Sequence, residues 1–194
     1  MEIDRRTRLT PDERRAQLVA LGVGFLVDNP LDALTIEGLS AQAGVSRALL
    51  FHYFGTKQGL HREVVRTARD SMLRATQPQE DLPPLDRLHD TLSRIVQFVR
   101  NHRGTFYSLV RGVASGDTEV REVVEEARAE QAERVIAVFV ELGIPDTELL
   151  RIALRSWVAF AEEALVRSAL GTDLASDEVV AFLERSARAV VAAL

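Results

Sequence analysis

The sequence contains no cysteine, and this absence excludes several kinds of site at once. The chain cannot form disulfides, bind zinc through thiolates or use a thiol nucleophile, so a reducing compartment, the cytoplasm, is the expected location. Histidine is scarce as well, and the four are His52, His61, His89 and His102. No two of them have the three-residue gap that sets two metal ligands on one helix face. We therefore expect neither a bound metal ion nor a cofactor.

Long hydrophobic runs are also missing. The run that comes nearest to a targeting segment covers residues 16–27 and follows Arg14 and Arg15, as in a signal peptide. It is too short to span a bilayer, which takes about 20 residues. Acidic residues precede it, and no small-x-small cleavage site follows it. We interpret this run as part of a helix in a cytoplasmic protein that makes no membrane contact.

The sequence has no pattern typical of catalysis. It lacks a Gly-x-Ser-x-Gly motif and a phosphate-loop lysine motif, and Gly22-Val23-Gly24 lacks the third glycine of a dinucleotide loop. Glu162 and Glu163 are adjacent, so on a helix they point about 100° apart and do not form a carboxylate pair. We expect a protein that is not an enzyme. A helical hydrolase or isomerase is the alternative, with no nucleophile–base pair to support it.

What the sequence does have is helix signals throughout. Thr10-Pro11-Asp12-Glu13 forms a capping box with proline in the first helical turn. Apolar residues then recur at helical spacing between glycine and proline breaks, and no alternating strand pattern occurs. The pattern predicts an all-α protein of about nine helices, with approximate bounds 11–29, 35–43, 46–54, 57–74, 85–102, 105–114, 118–142, 146–170 and 177–193.

Proline content divides the chain into two parts. Residues 76–84 form the only proline-rich polar stretch, which indicates a boundary. We predict an N-terminal domain over residues 1–56, a connecting helix over 57–75 and a second domain over 76–194.

Charge is distributed unevenly between these parts. The first 60 residues have a net charge of zero, so the later residues carry the whole charge of −5. From Gly38 to Arg62 there is no acidic residue, and this window holds Arg47 and Lys57, the single lysine of the chain. Such a window suits a surface that faces phosphates, because a carboxylate there would repel them. Chance, or burial of the segment, is the alternative interpretation.

Residues 35–54 have the pattern of two short helices joined by a sharp turn. Gly44 permits the positive φ that such a turn needs, and Ser46 can cap the helix that follows. Leu39, Val45 and Leu50 are spaced to fill the angle between the helices. This is the helix-turn-helix arrangement, whose second helix lies in the major groove of DNA.

A longer pattern around this turn resembles the N-terminal domain of the TetR family of transcriptional regulators. The residues that carry the resemblance are Leu18, Phe25, Leu26, Thr35, Ile36, Leu39, Ser40, the run AGVSRALLFHYF at 43–54, Lys57 and Leu60. It covers about residues 11–70. The resemblance implies a three-helix DNA-binding domain followed by a helical bundle that binds an effector and dimerises.

The resemblance also implies a set of DNA-contacting residues. Thr35 and Lys57 match positions that bind phosphate. Arg47 matches a position that reads base edges and suits guanine, and Leu49 suits a thymine methyl group. The complete set is Thr35, Ser46, Arg47, Ala48, Leu49, His52, Tyr53 and Lys57. For the neighbouring aromatics, Phe51 and Phe54, we expect core positions.

Three residues depart from the family pattern. Phe51 stands where members usually have tyrosine, so a phosphate-bonding hydroxyl is missing, and Ala48 stands where glycine is common. Glu37 occupies a position that is basic in some relatives. We expect it to complement the N-terminus of its helix, which then reads no bases. An operator sequence therefore does not carry over from the family.

The C-terminal part is too acidic to bind a polyanion, so we expect another role for it. Helix 146–170 is apolar on more than one face and needs partners on both sides. In the family that this chain resembles, the last two helices, here 146–170 and 177–193, pair with those of a second copy as a four-helix interface. A homodimer is therefore implied.

The resemblance further implies a pocket for a small apolar or amphipathic effector, between the fourth and eighth helices. The candidate lining residues are Leu92, Val96, Phe98, Phe106, Tyr107, Val110, Arg111 and Trp157. Arg111 either meets an anionic ligand or forms a structural ion pair, which is the preferred interpretation. For the aromatics, plain core packing is preferred.

These features together predict a DNA-binding transcriptional regulator. The preferred interpretation is a ligand-responsive repressor that binds a palindromic operator as a dimer. The expected mechanism is that an effector shifts the helix at 57–74 and moves the recognition helices off their half-site spacing. An activator of the same fold is one alternative. A ligand-binding helical protein with a vestigial DNA domain is the other.

Overall fold

The computed structural model describes residues 9–112 and 117–194, and within these ranges the chain is helical with no strand. It does not describe the side chains of residues 108, 109, 111, 112 and 169–171. The described helices are α1 (Pro11–Phe25), α2 (Ile36–Ala43), α3 (Arg47–Phe54), α4 (Lys57–Ala75), α5 (Pro84–Asn101), α6 (Arg103–Gly112), α7 (Thr118–Glu141), α8 (Glu148–Gly171) and α9 (Ser176–Ala192). The all-α prediction with about nine helices is confirmed.

Most helix bounds agree with the sequence pattern, and α1 is the exception. It ends at Phe25 rather than near Asn29, and a short 3-10 turn follows at Leu31–Ala33. The side-chain amide of Asn29 donates a hydrogen bond to the carbonyl oxygen of Phe25 (3.0 Å), which satisfies one of the free carbonyls at the helix end. Periodicity alone does not reveal such a cap, because the apolar residues continue past it.

Side-chain caps fix where the helices begin. At α1, Thr10 and Glu13 form the predicted capping box, with the Glu13 carboxylate accepting the Thr10 N–H at 2.8 Å. Each such cap stabilises its helix by about 1 kcal/mol. Side-chain oxygens that accept an N–H of the first turn also come from Thr35 of α2, Ser46 of α3, Thr56 of α4, Asp117 of α7 and Thr147 of α8.

Two hydrophobic cores lie on either side of a pair of shared helices. The first core joins α1, α2, α3 and most of α4 to the first half of α7, through Val120, Val123 and Val124. The second core joins α5, α6, α8 and α9 to the second half of α7. Helix α7 therefore belongs to both cores. The predicted boundary near residue 76 divides the sequence, but it does not coincide with the division between the two cores.

Helices α4 and α7 run side by side in the same direction, held by polar contacts at intervals of about two turns. The contacts are Arg62 with Glu119, Arg69 with Glu126 (2.5 Å) and Arg134 with the carbonyl oxygen of Thr76 (3.1 Å). A spacing of about seven residues returns to the same helix face, so one face of α4 stays against one face of α7 along their length.

Close packing of α1 on α4 depends on a glycine. A Cβ atom at Gly22 would stand 2.5 Å from Cγ2 of Val64, which has no exposed surface. Gly24, two residues further along the same helix, has open space at the corresponding position. None of the helices in the described ranges is long and apolar enough to cross a bilayer.

We expect Gly22→Ala to lower the free energy of unfolding by about 1–3 kcal/mol, because the added methyl group overpacks the contact with Val64. Gly24→Ala is the matched control and should raise it by about 0.5 kcal/mol, since alanine favours the helix. Urea unfolding followed by circular dichroism measures both. Equal effects of the two substitutions would contradict the close contact.

Candidate nucleic-acid interface

The turn between α2 and α3 has the geometry of a helix-turn-helix. Gly44 ends α2 in the left-handed conformation (φ 65°, ψ 35°), which favours glycine. The hydroxyl of Ser40 donates a hydrogen bond to the carbonyl oxygen of Val45 (2.8 Å) and ties the turn to α2. Leu39 and Leu50 are buried in the angle between the helices, as predicted, and Val45 is half-buried against the same core.

Helix α3 buries one face and exposes the other. Leu50 and Phe54, four residues apart, point into the first core. On the opposite face, Arg47, Ala48, Phe51 and His52 are exposed, while Leu49 and Tyr53 at its edges are half-buried. The predicted DNA-contacting residues of this helix therefore lie on its outer face or edges.

The expectation that Phe51 belongs to the core is wrong, because its side chain is 45% exposed. Phe54 is buried as expected. The helix has only eight residues, and Leu50 and Phe54 already define its buried face. Phe51 is rotated by about 100° from Leu50 and lies one turn after Arg47. The Leu50–Phe54 spacing was the sequence signal that separates these two aromatics.

Arg47 and Glu37 form an ion pair across the turn, with 2.5 Å between Nη2 and Oε1. Both side chains are more than half exposed. An ion pair with this much solvent contributes only about 0–1 kcal/mol, so Arg47 separates from Glu37 at little cost. Glu37 lies in the first turn of α2, as expected, and it also adds a negative charge beside the exposed face of α3.

The two residues predicted to bind phosphate lie at helix N-termini. The Thr35 hydroxyl oxygen caps α2 by accepting the N–H of Gly38 (3.0 Å), which leaves its hydrogen free to be donated. Lys57 is half-buried at the start of α4, and its ammonium group donates to the carbonyl oxygen of Asp32 (2.8 Å). An ammonium group has three donors, so two remain after this contact.

Two basic residues of the acid-free window do not face this surface. His61 is buried, and its Nε2 donates to the carbonyl oxygen of Leu34 (2.8 Å). Burial lowers the pKa of His61, so the ring is neutral at pH 7. Arg62 pairs with Glu119 of α7. Within the described part of the window, Arg47 and Lys57 are therefore the charged groups left for a polyanion.

A cavity lies in the second core between α4, α5, α7 and α8. The empty space between the lining atoms is about 740 Å³, and this figure includes the solvent-filled mouth of the cavity. A smaller cavity adjoins it and shares the side chains of Met72, Phe106 and Glu162. The main cavity is lined by Met72, Pro78, Arg87, Leu88, Thr91, Leu92, Ile95, Phe106, Gln131, Arg134, Val135, Val138, Trp157, Val158, Ala161, Glu162 and Leu165.

Some of the predicted lining residues reach this cavity and others do not. Leu92, Phe106 and Trp157 line the main cavity, and Val110 lines the smaller one.

The remaining candidates lie elsewhere. Val96 is packed in the second core, Phe98 lies against His102, and Tyr107 is partly exposed. The residues of α5 that line the cavity are Leu88, Thr91, Leu92 and Ile95, and Val96 and Phe98 lie further along the helix, nearer its C-terminal end. The side chain of Arg111 lies outside the described residues.

Comparison with known proteins identifies the family. Residues 21–64 match the family described as bacterial regulatory proteins, tetR family. Residues 84–190, more than half of the chain, match the tetracyclin repressor-like C-terminal domain. The chain belongs to the TetR family.

Individual relatives of this TetR-family chain are distant. The HTH-type transcriptional regulator BetI of Vibrio campbellii is 30% identical over 86 residues, which are 44% of this chain and 43% of that protein. The nucleoid occlusion factor SlmA of Haemophilus influenzae is 26% identical over 98 residues, which are 49% of this chain and 45% of that protein. The matches thus span less than half the length of these curated relatives.

Solved TetR-family structures share the fold along nearly the whole chain. A TetR-family transcriptional regulator from Streptomyces coelicolor gives a TM-score of 0.80 at 25% identity, over 95% of this chain and 83% of that chain. A TetR-like regulator from Rhodococcus gives 0.74 at 24% identity, over 95% and 99% of the two chains. The helix-turn-helix and the C-terminal helices therefore both have the arrangement known from TetR proteins.

We expect Glu37→Gln to bind double-stranded DNA about two- to fivefold more tightly, because it frees Arg47 and removes a carboxylate beside α3. Fluorescence anisotropy at fixed salt measures this. Glu148→Gln is the control, since it also changes the net charge by one unit and removes an exposed first-turn acid, but from α8. Weaker binding by Glu37→Gln would mean that Glu37 orients Arg47 rather than competing for it.

Proposed function

We propose that this TetR-family chain is a transcriptional repressor that binds a palindromic operator as a homodimer and releases it when a small apolar or amphipathic effector binds. The observation that carries the proposal is the outer face of α3, where Arg47 and Phe51 are exposed within the window that contains no acidic residue. A basic, partly apolar helix face on a helix-turn-helix is suited to the major groove.

In the proposed complex, the residues of α3 divide between bases and phosphates. Arg47 reads guanine O6 and N7, leaving Glu37 as it does so. Ala48 and Phe51 offer apolar contacts to thymine methyl groups, and Leu49 offers part of its side chain. The residues proposed to contact phosphates or the groove edge are Thr35, Ser46, His52, Tyr53 and Lys57.

Dimerisation is supported by apolar side chains left exposed on the last two helices. Leu149, Ile152 and Phe160 of α8 follow one another on a single face, and each is about half exposed. Phe182 of α9 is exposed to the same degree, and its ring lies 5.8 Å from that of Phe160. Contiguous apolar surface of this kind is typical of a protein interface. A twofold dimer would set two α3 helices on half-sites about 34 Å apart.

Effector response is supported by residues that link the cavities to the DNA-binding part. Met72 lines both cavities and lies on α4, whose first residue is Lys57, about 22 Å away along the helix. Phe106 also lines both cavities and lies on α6, where a Cβ atom added at Gly104 would clash with the carbonyl oxygens of Leu26 and Val27, just after α1. A ligand that moves Met72 or Phe106 would therefore move groups in contact with the first core. The response requires different effector affinities in the two states.

Two substitutions separate base reading from phosphate binding. We expect Arg47→Ala to weaken binding to the operator by about 1–3 kcal/mol and to relax specificity at one base pair. Lys57→Ala should weaken binding to all sequences alike and reduce the salt slope by about 1. The measurement is a gel shift on DNA upstream of the chain's own gene, with unrelated DNA alongside, at several salt concentrations. Wild-type affinity in both variants would contradict these roles. Wild-type protein that fails to distinguish the two DNAs would support the vestigial alternative.

The dimer proposal has its own test. We expect Ile152→Asp to give monomers in sedimentation equilibrium, because a carboxylate at the centre of the apolar face of α8 costs more to bury than to expose. Val27→Asp is the control, since Val27 is 46% exposed but lies outside α8 and α9. A dimer that survives Ile152→Asp would exclude this face as the interface.

A further inference from the structure

The chemistry of the main cavity indicates what kind of molecule fits it. Its wall is mostly aliphatic and aromatic, and the polar lining residues are Arg87, Thr91, Gln131, Arg134 and Glu162. Polar groups this few decide the orientation and specificity of a ligand in an otherwise apolar site. Which of them are free to bind is therefore the question that selects the ligand class.

The positive charges in the wall already have partners. The guanidinium group of Arg87 is buried and pairs with Glu141 at 2.5 Å and Glu80 at 3.3 Å. Arg134 pairs with Glu130 at 2.6 Å, besides its contact with the end of α4. An anionic ligand would have to compete with these carboxylates for two arginine side chains that are themselves largely buried, at 8% and 15% exposed.

The negative charge in the wall is also paired. Glu162 accepts a hydrogen bond from Nε of Arg128 at 2.8 Å, and Arg128 in turn contacts Glu125. Burial raises the pKa of Glu162, which is the direction expected in a site of low polarity. A cationic ligand would have to compete with Arg128 for this carboxylate. The described wall therefore favours an uncharged molecule.

Among the described lining residues, the hydroxyl of Thr91 is the buried polar group without a hydrogen-bond partner, whereas Gln131 donates from Nε2 to the hydroxyl oxygen of Thr76 at 3.4 Å. Thr91 is 7% exposed, and its oxygen is buried without a hydrogen bond, not even to the carbonyl one turn earlier in α5. It lies between Leu88 and Ile95 on the face of α5 that lines the cavity. A buried hydroxyl without a partner is unfavourable, so a ligand that satisfies it gains that energy on binding.

We propose that the main cavity takes an uncharged, mainly aliphatic molecule with one oxygen function, a hydroxyl or a carbonyl, that hydrogen-bonds to Thr91. This inference rests on the proposed effector function of the same cavity. It adds the ligand class, which has a net charge of zero and one polar group.

Trp157 supplies a direct signal for the test. It is the single tryptophan of the chain, and its indole lines the cavity while its Nε1 donates to Ser186 at 2.8 Å. A ligand beside it changes its fluorescence. Four probes of equal chain length separate the possible ligand classes: n-octanol, n-octanoate, n-octylammonium and n-octane.

We expect n-octanol to change the fluorescence of Trp157 with an affinity about tenfold higher than either charged probe. In Thr91→Val, whose side chain has nearly the same shape, the affinity for n-octanol should fall about three- to tenfold while that for n-octane stays the same. Thr105→Val is the control, because Thr105 is buried but does not line the cavity. It should leave all four affinities unchanged. Circular dichroism verifies that both variants are folded.

Three results would overturn the proposal. Tightest binding of n-octanoate or n-octylammonium would mean that a wall ion pair opens for a charged ligand. Equal loss of n-octanol and n-octane affinity in Thr91→Val would mean that the hydroxyl makes no bond to the ligand. No response to any probe would mean that the cavity does not admit this class. A gel shift with the same preparation separates these failures from a failure of the proposed function, because operator binding does not require a ligand.

Discussion

The parallel pairing of α4 and α7 is the constraint on which the other parts of this structure depend. Three arginines, spaced at about two turns, join the two helices: Arg62 and Arg69 of α4 and Arg134 of α7. Valines fill the space between the helices in the first core. Each helix has one half in the first core and the other half in or against the second. Packed interiors are nearly incompressible, so a change in the packing of either core must displace α4 or α7.

Charge explains how an acidic protein can present a surface to a polyanion. The chain has a net charge of −5, but the excess of acidic residues lies after residue 60. Many of those residues pair with arginines within or between helices, as Glu133 does with Arg151 and Arg155. Acidic residues are fewer around α3, where Glu37 is the one acidic residue of the described ranges that pairs with Arg47. Local charge, rather than net charge, therefore decides what this surface can bind.

The turn at Gly44 could be predicted from the sequence because its requirements are local. A left-handed residue, a cap at Ser46 and two leucines at fixed spacing leave little freedom. The placement of His61 could not be predicted in the same way. Its burial depends on which residues close the first core and on the carbonyl oxygen of Leu34, and those contacts are distant in sequence.

The cavity shows even more clearly which features the sequence can predict and which it cannot. Leu92, Phe106 and Trp157 could be chosen as lining residues from the family resemblance, but the sequence does not reveal Thr91 as an unpaired hydroxyl or Arg87 as a paired cation. The sequence by itself determined the helices, their caps, the turn and the family, because periodicity and capping act within one or two helical turns. Only the tertiary structure decided which polar groups are paired and which remain free. Pairing joins residues that are far apart in sequence, 54 positions in the case of Arg87 and Glu141, and depends on how whole helices pack.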